Sequence, residues 1–232
     1  MRLINTRTLR IHEFVGTRVP PYAILSHTWG RGEVTFQDWC QPDRRHREGL
    51  DGYAKIAATC ARARERGLDF AWVDTCCIDK TSSAELSEVI NSMFAWYRNA
   101  AACFGYLEDF VGVPRVQAVA ETDGVATAGL VGFARSRWFT RGWTLQELLA
   151  PHDVEFFNRD WAPIGRKLEL AEELEGITGI DNKVLEGDEP LRRVSIGRRM
   201  SWAANRRTSR PEDRAGADGV SEAARADTGA VG

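Results

Sequence analysis

Four short apolar runs, separated by stretches of helical periodicity, constrain this chain more than any other feature. They are residues 22–25 (YAIL), 70–73 (FAWV), 101–107 (AACFGYL) and 153–158 (DVEFFN). Pro20 and Pro21 cannot sit inside a central strand, so the first strand begins near Tyr22. Its unbroken apolar run predicts burial on both faces, as in a parallel sheet. Between the first two runs, Ile56, Ala57, Cys60 and Ala63 recur at three- and four-residue spacing, with Arg62, Arg64, Glu65 and Arg66 largely off that face. That predicts an amphipathic helix over 53–66, stopped by Gly67. After the second run, Thr81, Ser82 or Ser83 can cap a helix whose apolar face carries Leu86, Val89, Ile90, Met93, Phe94 and Tyr97.

After the third run, a short helix is expected over about 141–149, with Pro151 just past its end. A last helix is expected over 165–179, with Leu168, Ala171 and Leu174 on one side. Residues 9–14 alternate and read as an edge strand, 30–49 as a long loop, and 111–132 as a variable connection. Strand and helix thus alternate four times, which predicts an α/β fold: a parallel sheet flanked by helices, with a helical continuation at the C-terminal end. Right-handed crossovers bring every strand's C-terminal end to one edge, where open sheets of this kind bind ligands.

Composition narrows the setting. Hydrophobic residues make up 43% of the 232 and charged residues 28%, a globular balance. The net charge of -2 offers no global basic field for nucleic acid. Five cysteines, an odd number with no CxxC pair, are neither a disulfide framework nor a zinc module. The N-terminus has no signal-like apolar stretch and no run approaches a membrane span, so a cytoplasmic protein is expected.

Polar clusters follow the predicted strands. Ser26, His27, Thr28, Trp29 and Gly30 follow the first, and Asp74, Thr75, Cys76, Cys77 and Asp79 follow the second. Trp143 and Glu147 are four residues apart on a helix rising from the same edge, so they share a face. Three distant segments therefore converge on one cleft. Each residue also has a plainer role: Glu147 as a solvated helix residue, Asp74 as a turn former, His27 as a structural hydrogen-bonder, and the two adjacent cysteines as core fillers. The convergence, not any single residue, carries the expectation of a site.

The segments YAILSHTWG, FAWVDTCCIDK, SRWFTRGWTLQELLAP and RMSWAANRRTSRPEDRA resemble, in order, the signature blocks of the fungal heterokaryon-incompatibility (HET) domain. The resemblance spans residues 1 to about 215. It implies a part in non-self recognition and programmed cell death. That family is similar, more remotely, to Toll/interleukin-receptor (TIR) domains, which implies a flavodoxin-like sheet over 1–160 and a helical continuation of the HET region over 161–213. In enzymatic TIR domains the glutamate of the Trp-x-Leu-x-Glu-Leu pattern cleaves NAD, and the matching residue here is Glu147. The resemblance thus implies NAD as substrate, with no cofactor or metal, and self-association or another cell-death protein as partner.

Nicotinamide leaves NAD as a neutral base, so its loss needs a negative charge near the ribose rather than a general acid. One glutamate can supply that charge. Trp143 or Trp29 could stack on a base, Arg141 could pair with the pyrophosphate, and Ser26 or the backbone around Gly30 could approach phosphate or ribose. His27, Asp74 and Asp79 complete the expected binding set. The competing expectations are a non-enzymatic signalling and assembly domain, a nucleic-acid contact through the arginine-rich stretch 191–210, and a thiol enzyme using Cys76 or Cys77. The arginine stretch reads first as a solvated face paired with Glu212 and Asp213. Residues 214–232, rich in Gly, Ala and Asp, read as a disordered tail that departs from the family pattern.

Overall fold

The computed structural model describes residues 1–16, 18–112 and 132–207. The expected tail over 214–232 lies outside these residues, as does all but the ends of the connection over 111–132. The strands are β1 (Arg2–Asn5), β2 (Ile11–Glu13), β3 (Tyr22–His27), β4 (Phe70–Trp72), β5 (Ala102–Tyr106), β6 (Glu155–Phe157) and β7 (Pro163–Arg166). They form one sheet in the order β2-β1-β4-β3-β5-β6-β7. The four strands expected from the apolar runs lie side by side and parallel, with Ile24 paired to both Trp72 and Cys103. Antiparallel pairs extend the sheet at each end. In chain order the parallel strands run 2-1-3-4, the way flavodoxin-like sheets begin.

All six residues of β3 are buried, because this strand is flanked on both sides and covered on both faces. Helix α3 (Asp51–Glu65) crosses from β3 to β4, and α5 (Ser83–Asn99) from β4 to β5. The first buries Ile56, Thr59, Cys60 and Ala63, and Gly67 follows it at φ 71°, the left-handed conformation that ends a helix. The second is capped by the Ser82 hydroxyl, which accepts from the Glu85 amide, and it buries Val89, Met93 and Tyr97 along one stripe. A one-turn helix, α4 (Asp74–Cys77), follows β4 directly, and its Cys76 and Cys77 are buried.

Several expectations need correction. The loop expected over 30–49 holds two five-residue helices, α1 (Phe36–Cys40) and α2 (Arg44–Glu48), each capped by a side chain, Thr35 and Asp43 respectively. The expected helix over 165–179 starts late. Pro163–Arg166 is strand, pairing antiparallel with β6, and α7 covers only Ala171–Thr178, so Leu168 lies outside it. The sheet therefore continues past residue 160. Two short helices follow, α8 (Asn182–Leu185) and α9 (Ile196–Ala204). The helix expected from about residue 141 is α6 (Thr144–Leu149), preceded by a 3-10 turn at Arg137–Thr140. No helix among the described residues is long and apolar enough to cross a membrane.

Candidate functional site

The C-terminal ends of β3 and β4 open into a cleft of about 790 Å³, counting its open mouth. It is lined by His27, the last residue of β3, Trp29 from the loop that follows, Asp74 at the start of α4, and the buried stripe of α5. Arg141, Trp143, Thr144 and Glu147 close it from the turn and helix of α6. The three sequence-distant segments meet as topology predicts.

Glu147 stands on the wall of the cleft and is 7% exposed. Ser26, wholly buried at the end of β3, donates its hydroxyl to Glu147 Oε2. The same hydroxyl accepts from the Trp138 indole at 2.8 Å. Tyr97, whose hydroxyl donates to the Leu25 carbonyl at 2.9 Å, also faces the Glu147 carboxyl. Burial raises this carboxyl from 4.5 to about 8; the Ser26 bond opposes the rise, and the Asp74 charge adds to it. Burial thus favours the protonated form of Glu147 in the resting cleft.

Asp74 is the opposite case. Burial works against its charge, but the His27 ring, Lys80 and two hydrogen bonds outweigh it and hold the carboxyl well below the usual range. The bonds are from His27 Nε2 to Oδ1 at 2.8 Å and from Trp29 Nε1 to Oδ2 at 2.7 Å. The Lys80 ammonium lies 3.2 Å from the Trp29 ring centroid, a cation–π contact on the wall of the cleft. On the far side of His27, Nδ1 is sealed from solvent 4.0 Å from Glu33, which receives Lys55 Nζ at 2.6 Å and the Gly30 amide at 2.7 Å.

His27, Trp29, Asp74, Arg141, Trp143 and Glu147 thus share the cleft. Ser26 lies beneath it and reaches it through Glu147 rather than facing a ligand. Gly30 and Asp79 lie outside. A Cβ on Gly30 would meet the Glu108 carboxylate, and Asp79 is held at the surface by Gln37 and Thr81. Among the described residues no group of three His, Cys, Asp or Glu side chains is placed to hold a metal ion.

Three supporting residues escaped sequence reasoning. Trp138 was not singled out, Tyr97 read only as part of a helix stripe, and Lys167 fell within the helix expected over 165–179. Lys167 is 3% exposed and donates to the Leu148 and Pro151 carbonyls at 3.4 and 2.5 Å, capping the C-terminal end of α6. Burial lowers its amine from 10.5 to about 8.

These residues build an α/β domain with a carboxylate cleft at its sheet edge, and comparison with known proteins shows what it is similar to. Residues 22–120 match the family described as heterokaryon incompatibility protein (HET). It is 47% identical over 200 residues to the vegetative incompatibility protein HET-E-1 of Podospora anserina. That alignment covers 85% of this chain and 14% of the relative's length. No solved structure matches significantly.

Proposed function

We propose that this domain acts in fungal incompatibility and cell death by cleaving the nicotinamide N-glycosidic bond of NAD, with Glu147 as the catalytic carboxylate. The observation that carries this reading is a buried glutamate on the wall of a cleft that also presents two indoles and an arginine. The resemblance of 136–149 to the TIR pattern and the similarity to a vegetative incompatibility protein support it.

NAD brings a positively charged pyridinium ring. Set beside Glu147, that cation favours the ionised carboxylate against the burial that protonates it at rest. The carboxylate then stabilises positive charge developing at the ribose C1′. The C1′–N bond breaks with its electron pair going to the ring nitrogen, which leaves as neutral nicotinamide. Water adds at C1′ and releases a proton, giving ADP-ribose; attack by a nucleophile of the same molecule gives a cyclised product. Trp29 or Trp143 stacks on a base, and Arg141 meets the pyrophosphate.

Purified, concentrated protein should release nicotinamide from NAD, and Glu147→Ala should not. Concentration matters because self-association can complete such sites. A second reading, a signalling and assembly domain without catalysis, draws on Ile196 and Met200, one turn apart on α9 and exposed by 51% and 66%. Cell death that survives Glu147→Ala and is lost on changing those two residues favours it.

A further inference from the structure

The chain's last described segment returns to the cleft. Trp202, buried in α9, anchors it. Beyond α9 the Arg207 amide donates to the Thr140 carbonyl at 2.6 Å, and Arg207 bridges to Arg141 as a parallel strand would. Arg206 Nη1 donates to the Arg141 carbonyl at 3.0 Å and to Thr144 Oγ1 at 2.8 Å. Thr144 Oγ1 lies 2.5 Å from the Trp138 carbonyl, its acceptor, and the Trp138 indole donates to Ser26. Ser26 in turn donates to Glu147. A hydrogen-bonded circuit therefore runs from Arg206 around the turn that opens α6 and back to the carboxyl. Thr144 and Glu147, three residues apart, share the cleft-facing side of α6. Among the described residues Arg206 Nη2, sealed from solvent, meets no partner, which is costly for a guanidinium unless its charge serves something nearby.

We propose that Arg206 is a positioning residue for Glu147, fixing the turn that carries it and supplying a positive charge that favours its ionised form. The inference rests on the preceding reading only in taking Glu147 as the reacting carboxylate. Mutual effects agree: Arg206 works to lower the Glu147 carboxyl, and Glu147 works to raise Arg206, whose guanidinium burial brings down to about 10. The other titratable groups that face Glu147 or share its cleft are Asp74 from α4, Tyr97 from α5, Cys103 from β5, and His27, Lys80 and Arg141 on the cleft wall. Arg206 differs from the cleft cations in that it is tied by hydrogen bonds to the turn that carries Glu147, and its charge acts on that carboxyl. It also makes the site depend on residues well beyond the sheet.

The test reads the Glu147 titration directly, by carbon NMR of glutamate labelled at the side-chain carboxyl, in the full chain without NAD. Arg206→Gln keeps a donor and removes the charge, so the midpoint should rise by roughly half to one pH unit. Arg206→Lys keeps the charge and should leave the midpoint near the wild-type value. Identical midpoints in all three proteins overturn the proposal. Should Arg206→Gln fail to fold, the unmutated protein decides. The nitrogen signals of the Arg206 guanidinium should move with the same midpoint as the Glu147 carboxyl, and signals that ignore that midpoint overturn the proposal. Turnover is scored separately. A shifted titration in a protein that releases no nicotinamide supports the Arg206 role and counts against NAD cleavage. An active protein with an unshifted titration does the reverse.

Discussion

Ser26 and Glu147, 121 residues apart in sequence, are joined by a hydrogen bond in which the serine hydroxyl serves two partners at once. It donates to the carboxyl and accepts from the Trp138 indole, so the end of the central strand fixes both the helix and the turn that precedes it. Ser26→Ala leaves a buried indole N–H and a buried carboxyl short of a partner. That should cost about 1–3 kcal/mol in urea unfolding, with the slope unchanged. A variant as stable as wild type would show that Ser26 does not anchor this corner.

The raised Glu147 carboxyl sets a pH signature on stability. Between its ordinary value of 4.5 and about 8, the folded state keeps a proton that the unfolded state has released. Wild-type stability from this group therefore falls as pH rises through that window. Glu147→Gln removes the dependence. The variant should gain on wild type from pH 5 to pH 9, by roughly 2–4 kcal/mol or several degrees in melting temperature. Parallel stability curves for the two proteins would contradict the buried, protonated assignment.

Asp74 has the opposite sign. Its folded carboxyl sits below the ordinary range, so the stability it contributes is present above that range and is lost as pH falls through the folded value. Asp74→Asn should destabilise at pH 7 and converge on wild type only in strong acid. Because the Asp74 charge helps keep Glu147 protonated, the same substitution should move the Glu147 titration to lower pH. A Glu147 midpoint that stays put would break the link between the two acids.

The sheet makes a prediction of its own. A Cβ at Gly105 in β5 would lie 2.8 Å from the Phe156 ring and 3.1 Å from Val154, both fully buried. Gly105→Ala should cost about 1–3 kcal/mol by chemical denaturation, as overpacking does. A neutral effect would mean that β5 and β6 pack less closely than described.

What could be read from the sequence follows from how each element is stabilised. The four parallel strands lie within the sheet and carry short apolar runs, so YAIL, FAWV, AACFGYL and DVEFFN stood out. The strand PIGR has one buried residue, and α1 and α2 are five residues each, too short for periodicity to register. In the site, Ser26, Asp74 and Glu147 were legible because strand ends and topology bring them together. Lys167 and Arg206 were not, since each acts through a tertiary approach to backbone carbonyls at one end of α6. Arg206 had read as part of a solvated arginine face. Arg198 does pair with an acid, Asp181, but Arg206 turns inward, and Glu212 and Asp213 lie outside the described residues.

The central claim, that Glu147 cleaves NAD, is tested most directly by nicotinamide release at saturating NAD from wild type and Glu147→Gln at equal, high concentration. Glutamine keeps the shape and the bond from Ser26 while removing the negative charge. The account predicts a rate about 10²–10³-fold lower for the variant, with the fold intact. Equal rates, or no release by either protein at any concentration, would contradict it.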